Sequence, residues 1–398
     1  MRLSDPALRD ALIQRLRAMT AEALRREPSQ IRVDWVNPDP GQLWSLLQPF
    51  IMRELGFPLH AYDRPHCGSI NALAEHLVGE LRPPPAPALP MGDLYEHGEW
   101  KREPVEHRAD PPLERPAVFL LSAPRSGSTM LCAMLARHPK LFAASELSLL
   151  PFGSMGARGR LFDSVGHQWM RNGLLVAIQN LTGETRERAE QDYLVLEERD
   201  VPVSAVYARM QELAQDRLLV DKSPVYALNP DWLACAERLF RAPRYIHLTR
   251  HPGAVVESFV RRRFHRLMGP GLVWDDNPWI FAEKIWTSTN LHIERFLRNV
   301  DARRQLRVSY EMLVADPAAA VGRICAFLEI PFDARALDPY GGLSNTTRLE
   351  PLGLGDPGFF EHSGIEARLA SDWRATGPPQ KFGAITRDVA RAIDYAIP

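Results

Sequence analysis

The sequence lacks the features that mark several large classes of protein. It has only four cysteines in 398 residues, with no CxxC pair and no Cys/His ligand spacing, so it predicts neither a disulfide framework nor a zinc site. Its formal net charge is -1, and overall charge therefore does not favour nucleic-acid binding. No stretch fits the GxxxxGK[ST] phosphate-binding pattern, which disfavours a nucleoside triphosphatase.

Signals for membrane insertion and secretion are also missing. No run of about 18 apolar residues is present that could span a bilayer. The amino-terminal stretch MRLSDPALRD is polar and charged, and it has no apolar core of a secretory signal. We therefore expect a cytoplasmic protein without a membrane span.

The most informative stretch is PAVFLLSAPRSGSTMLCAMLARH, residues 116–138. An apolar run of strand length is followed by small residues and then by apolar positions at helical spacing, which predicts strand, loop and helix. Such a loop directs backbone amides and a helix dipole at an anion. Arg125 adds a permanent charge suited to phosphate or sulfate oxygens. The remaining loop donors are Ser126, Gly127, Ser128 and Thr129. Alternatively, Ser126 caps the helix and Arg125 is merely solvated.

Two further predicted strands end in charged residues. The strand RLLV, residues 217–220, leads to Lys222, a point charge available to an anion or to a developing leaving group. The strand RYIHLT, Arg244–Thr249, runs into Arg250 and then a helix. Helical side chains lean toward the amino end, so Ser258 can point back toward that turn and form a second phosphate clamp. An ordinary capped turn, with Ser258 packed against the sheet, is the alternative.

Two residues are candidates for a general base. Glu146 lies among small and apolar residues in HPKLFAASELSLLPF; it either caps or pairs with a nearby arginine, which is the commoner role, or acts as a base. His265 lies in RRRFHRLMG, residues 261–269. That stretch is either a solvated basic face at a helix end or a functional cluster, in which an imidazole would titrate near neutral pH.

Composition predicts three segments. Residues 1–82 are helical and faintly similar to the second half of an acyl carrier protein, but they lack its Asp-Ser-Leu attachment site, so we expect no phosphopantetheine. Residues 83–112 form a proline-rich linker that disfavours helix. Residues 113–398 have the length of a single α/β domain.

Together, the SGST loop after Arg125 and the later pair Arg250 and Ser258 resemble the sulfotransferase family that uses 3′-phosphoadenosine 5′-phosphosulfate (PAPS). The resemblance covers residues 117–374. It implies a P-loop-like three-layer fold with a central parallel sheet. It also implies that the loop of Arg125, Ser126, Gly127, Ser128 and Thr129 holds the 5′-phosphosulfate and that Arg250 and Ser258 bind the 3′-phosphate. Tyr310, in YEMLV, would lie close to the nucleotide.

Within that family the PRSG loop resembles tyrosylprotein sulfotransferases and the sulfotransferase domains of bacterial polyketide assembly lines. The first group implies Glu146 as the base and Lys222, in DKSP, as the catalytic lysine. The second group implies a 3-hydroxyl on a carrier-bound acyl chain as acceptor and His265 as a second candidate base. The motif ASDWR, with Trp373 and Arg374, adds candidate nucleotide-binding residues.

The sequence therefore predicts an enzyme of natural-product biosynthesis that moves a sulfuryl group from PAPS to a hydroxyl of a small-molecule or carrier-bound acyl acceptor. Glu146 or His265 would deprotonate the hydroxyl, while Arg125 and Lys222 would stabilise developing charge. No metal is required in this mechanism. The alternatives are a PAPS-binding or carrier-docking protein without turnover and a small-molecule kinase, which would need magnesium and a triphosphate.

Overall fold

A computed structural model describes residues 5–34, 43, 45–48, 50–51, 67–81, 112–164, 168–264, 277–341, 356–375 and 381–397. The chain divides into two compact units: residues 1–88 with 262–268, and residues 89–261 with 269–398. The linker predicted at 83–112 lies outside the described residues as far as residue 111. The three-segment division therefore stays a prediction.

The described part of the first unit includes the helices α1 (Asp5–Leu24) and α2 (Ile70–Leu81). Leu12 and Leu16 of α1 repeat at helical spacing and are buried, as is Leu73 of α2, because each helix turns one apolar face toward the same core. The prediction of a helical amino-terminal region is confirmed.

The second unit is built on a parallel sheet. Its five strands are β1 (Val118–Ser122), β2 (Leu141–Ser145), β3 (Leu218–Lys222), β4 (Arg244–Thr249) and β5 (Gln305–Ser309). All neighbouring pairs are parallel, and the order is β2-β3-β1-β4-β5. Every residue of β1 is buried, as expected for the centre of a sheet covered on both faces. The predicted α/β fold with a central parallel sheet is confirmed.

The helices of this unit cover both faces of the sheet. They are α3 (Ser128–Ala136), α4 (Met155–Ser164), α5 (Asn172–Thr182), α6 (Arg186–Glu198), α7 (Val203–Leu213), α8 (Pro230–Leu239), α9 (Pro252–Arg261), α10 (Pro278–Leu297), α11 (Tyr310–Ala315), α12 (Pro317–Leu328) and α13 (Ala384–Ala392). Along β1, Phe119 and Leu121 enter one core whereas Val118 and Leu120 enter the other, because successive strand side chains alternate between faces. None of the described helices has the length and apolar character needed to cross a membrane.

Three helices begin with the same local chemistry. Asn229, Asn277 and Asp316 precede the prolines that open α8, α10 and α12, and each side chain accepts a hydrogen bond from a backbone amide of the first turn. Proline is tolerated there because the first-turn amides have no partner within the helix. The sequence thus determines where these helices begin.

The central strand generates a stability prediction. Phe119 is fully buried, with its ring centroid 5.7 Å from that of Phe240 and 5.9 Å from that of Tyr245. Phe119→Ala should therefore lower the free energy of unfolding by about 3–5 kcal/mol, measured by urea denaturation. The matched control Phe332→Ala, whose side chain is 50% exposed, should change it by less than about 0.5 kcal/mol. Similar losses in the two variants would contradict this packing.

Candidate active site

The loop between β1 and α3 has the backbone geometry of a tight anion-binding turn. Arg125 and Gly127 both have left-handed backbone angles, with φ of 69° and 88°. Gly127 is the N-cap of α3, and no side chain caps the helix, so the alternative in which Ser126 is the cap is wrong. A Cβ at Gly127 would overlap the ring of Tyr310, so this position needs glycine for both its backbone angle and its packing.

The guanidinium of Arg125 is buried and bonded rather than solvated. Its Nε and Nη2 each donate to Ser258 Oγ at 3.2 Å, and Nη2 also donates to Asp356 Oδ1 at 2.6 Å. The Arg125 side chain is only 5% exposed. The backbone amide of Asp356 donates to Thr129 Oγ1 at 3.0 Å, which ties the segment beginning at Asp356 to the same loop.

Arg250 lies next to this loop because β4 pairs directly with β1. Its Nη1 donates to the Arg125 carbonyl oxygen at 3.0 Å, and its Cζ lies 4.1 Å from the centre of the Tyr310 ring. Trp286, fully buried on α10, donates its indole N–H to the Arg250 carbonyl oxygen at 3.1 Å. Arg125, Arg250, Ser258 and Tyr310 therefore form one cluster, in which Ser258 accepts hydrogen bonds from Arg125.

Two buried polar atoms of this cluster have no protein partner among the described residues. They are Ser126 Oγ and Arg250 Nε. Buried polar groups in folded proteins are almost always hydrogen-bonded. Both atoms can donate, and they lie beside a turn rich in backbone amides, so the cluster fits an anionic ligand that accepts hydrogen bonds.

A second charged pair lies at the end of the neighbouring strand. Lys222 Nζ lies 2.7 Å from Glu146 Oε1, and the Glu146 amide donates to the Lys222 carbonyl oxygen at 2.6 Å. Lys222 is the last residue of β3, which extends two residues beyond the predicted RLLV run. The Lys222 side chain is 1% exposed and that of Glu146 is 22% exposed. Glu146 is thus ion-paired with a lysine.

A buried carboxylate, which sequence analysis assigned no role, organises this pair. Asp221 accepts hydrogen bonds from the hydroxyls of Tyr207, Tyr226 and Ser223 at 2.7, 2.8 and 2.7 Å. Burial raises the pKa of Asp221, although the three hydroxyls act in the opposite sense. Ser223 Oγ and Tyr226 Oη in turn accept the amides of residues 148 and 149, so the network fixes the chain just after Glu146.

The carboxyl-terminal candidates lie beside the Arg250 turn. Trp373 stacks on His251 with ring centroids 4.4 Å apart, and it packs so closely on Gly253 that a Cβ there would overlap the indole. Arg374 Cζ lies 5.7 Å from the Trp373 ring. Burial lowers the pKa of His251, against the opposing effect of the Glu311 carboxylate.

Ser128 and Thr129 are buried in the first turn of α3, whereas His265 lies outside the described residues. Sequence analysis missed Asp356, although the Asp-Pro pair at 356–357 marks the start of a short helix. That local signal contains no information about Arg125, which is 231 residues away in the chain.

The sequence model of the sulfotransferase family matches residues 116–334, more than half of the chain, and this protein therefore belongs to that family. It is 26% identical over 222 residues to protein-tyrosine sulfotransferase A of Caenorhabditis elegans, an alignment that covers 56% of this chain and 52% of that protein. The chain thus spans about half the length of this curated relative.

Two solved structures are similar over nearly their whole length. The sulfotransferase domain of the olefin synthase from Synechococcus PCC 7002 is 38% identical, with a TM-score of 0.65, and the match covers 74% of this chain and 99% of that domain. The sulfotransferase domain from the curacin biosynthetic pathway is 36% identical, with a TM-score of 0.67, and the match covers 72% of this chain and 100% of that domain. The resemblance inferred from the sequence is confirmed, and the protein is a sulfotransferase enzyme.

The anion loop generates a second prediction. In Gly127→Ala the new Cβ would lie on a left-handed backbone and overlap the ring of Tyr310. In Gly183→Ala the backbone is also left-handed, with a φ of 72°, but the new Cβ has no neighbour within 4 Å. Gly183→Ala should lower the free energy of unfolding by roughly 1–2 kcal/mol, because of the backbone conformation alone. Gly127→Ala should cost more, because Tyr310 must also move. Melting temperatures of the two variants test this, and an equal or smaller loss for Gly127→Ala would contradict the described contact.

Proposed function

We propose that this enzyme transfers a sulfuryl group from PAPS to an aliphatic hydroxyl, and that its acceptor is a hydroxyacyl chain bound to a carrier. The observation that carries the proposal is the adjacency of three strand ends. Lys222 of the acid–base pair ends β3, the anion loop follows β1 and the second arginine follows β4. A ligand with two separated phosphate groups fits such an edge because ligands of open α/β sheets bind at the carboxyl ends of the strands.

The nucleotide would be held by residues that already form the cluster. Backbone amides of the anion loop and the hydroxyl of Ser126 suit the 5′-phosphosulfate, because the loop opens a helix and Ser126 Oγ is buried without a described partner. Arg125, Arg250 and Ser258 suit the 3′-phosphate, since they are mutually bonded on the β4 side. Tyr310 and Trp373 offer rings beside that clamp.

PAPS supplies the sulfuryl group and leaves as adenosine 3′,5′-bisphosphate. Glu146 takes the proton from the acceptor hydroxyl while the hydroxyl oxygen forms the new bond to sulfur. The bond from sulfur to the bridging phosphate oxygen breaks, and its electron pair stays on that oxygen. Lys222 stabilises this charge, an effect worth about 3 kcal/mol for one preorganised donor. His265 remains the second candidate base.

The acceptor class is supported by the two matched domains. Their names associate them with an olefin synthase and with curacin biosynthesis, and both match this chain over essentially their whole length. Sulfation turns a hydroxyl, which is a poor leaving group, into a sulfate, which is a good one, and this is the chemistry that olefin formation from a hydroxylated chain requires. A tyrosine side chain, which the curated relative's name indicates, is the alternative acceptor.

Nucleotide binding gives a third prediction. In the presence of EDTA, adenosine 3′,5′-bisphosphate at about 100 times its Kd should stabilise the enzyme by about 2.7 kcal/mol, measured as a rise in melting temperature. Arg250→Ala should abolish most of that rise. Arg241→Ala, at the opposite end of β4 and 65% exposed, should retain it. Stabilisation that required magnesium and ATP would contradict the proposal.

Catalysis gives a fourth prediction. With PAPS and 3-hydroxydecanoyl-pantetheine as acceptor, Glu146→Gln should lower kcat about 10²- to 10⁴-fold, because a positioned base is lost, and should leave the nucleotide-dependent melting shift unchanged. Sulfated product is measured by mass spectrometry, with a tyrosine peptide assayed in parallel. If His265→Ala lowered kcat and Glu146→Gln did not, the base would be His265. Sulfation of the peptide alone would overturn the proposed acceptor.

A further inference from the structure

An arginine outside the predicted site is buried against the chain that carries Glu146. Arg158, on α4, is fully buried. Its Nη2 donates to the carbonyl oxygens of Leu147 and Met170 at 2.9 and 3.0 Å, and its Nε donates to the carbonyl oxygen of Ser148 at 3.2 Å. Its Nη1 donates to the Tyr193 hydroxyl at 2.6 Å. Arg158 thus bonds two consecutive residues that directly follow Glu146.

Charge neutralisation does not explain this burial. Within the described residues, the hydrogen bonds of Arg158 run to backbone carbonyls and a phenol, and the nearest carboxylate in this chain of bonds, Glu197, is reached through the Tyr193 hydroxyl at 2.6 Å. Burial lowers the pKa of Arg158, which reflects how costly the charged form is there. Apolar residues that replace a whole buried ion pair often leave stability unchanged, so a buried charge is not by itself evidence of stabilisation. An apolar side chain at this position could not donate hydrogen bonds to these carbonyl oxygens.

The chain that Arg158 holds has an unusual conformation. Glu146 and Ser148 have left-handed backbone angles, with φ of 60° and 50°, which non-glycine residues adopt only when their surroundings impose them. The amides of this loop are fixed by residues at the end of β3, and Arg158 fixes its carbonyls. A Cβ at Gly173 would overlap the Glu146 carbonyl oxygen, and Arg158 also holds Met170, three residues earlier.

We propose that Arg158 is a positioning residue that fixes the backbone of Glu146 and thereby places its carboxylate beside Lys222 for proton transfer. This inference rests on the proposed function, in which Glu146 is the base. A displacement of about 1 Å at a reacting group can lower the rate about 10²-fold. Arg158 therefore contributes to catalysis through the loop rather than by contact with a substrate.

The test is a double-mutant cycle between Arg158 and Glu146, assayed with PAPS and 3-hydroxydecanoyl-pantetheine. Arg158→Lys keeps a cation but loses the planar fork that reaches several carbonyls at once. It should lower kcat about 10²-fold, with KM for PAPS within about twofold of the wild type. In the Glu146→Gln background the same change should lower kcat less than about threefold. Tyr193→Phe, which removes a partner of Arg158 but no bond to the loop, is the matched control and should stay within about threefold of the wild type.

The outcomes separate the two proposals. An equal fold-loss for Arg158→Lys in both backgrounds would overturn the positioning role, because the effect would then not act through Glu146. An unchanged kcat in Glu146→Gln would instead overturn the assignment of the base.

A second measurement does not depend on the acceptor. Amide hydrogen exchange of the peptide covering residues 146–149 should be faster in Arg158→Lys than in Tyr193→Phe. Equal exchange in the two variants would overturn the positioning role even if neither acceptor probe were sulfated.

Discussion

The parallel register of the three central strands is the constraint on which the rest of the site depends. In the register of β1, Val118 pairs with Val220 of β3 and Ser122 pairs with Leu248 of β4, so all three strands end at the same edge of the sheet. Parallel pairing leaves the connecting loops free to differ in length and sequence while it fixes where they begin. The anion loop, Lys222 and Arg250 come from separate parts of the chain and meet for this reason alone.

Local charge at this edge is unrelated to the overall charge of the chain. The formal net charge is -1, yet Arg125 and Lys222 are nearly buried within a few residues of the same sheet edge. Each is compensated by a carboxylate, Asp356 and Glu146 respectively, because an unpaired buried cation would be strongly destabilising. An anionic ligand that approaches Arg125 must therefore share it with Asp356, and one that approaches Lys222 must share it with Glu146.

Sequence patterns predicted the elements and the ends of the strands, but not the contacts between them. The strand Arg244–Thr249 was predicted with the bounds that it has, since a short apolar run followed by a polar turn is a local signal. The Asp356 and Ser258 contacts of Arg125 join residues 231 and 133 positions apart, and no local periodicity encodes them. The burial of Arg158 could not be predicted either, because a helical sequence pattern does not distinguish a buried arginine from a solvated one.

The two interpretations of Glu146, an ion-paired carboxylate and a general base, are compatible in this geometry. Lys222 contacts the carboxylate from the buried side, whereas Glu146 itself is 22% exposed and remains reachable from solvent. The backbone at Glu146 is left-handed, and buried side chains bond both amides and carbonyls of the loop that follows it. Several bonds that fix one backbone segment are expected where a reactive group must be held in one place. A small displacement lowers the rate of proton transfer strongly, whereas it changes the stability of an ion pair little.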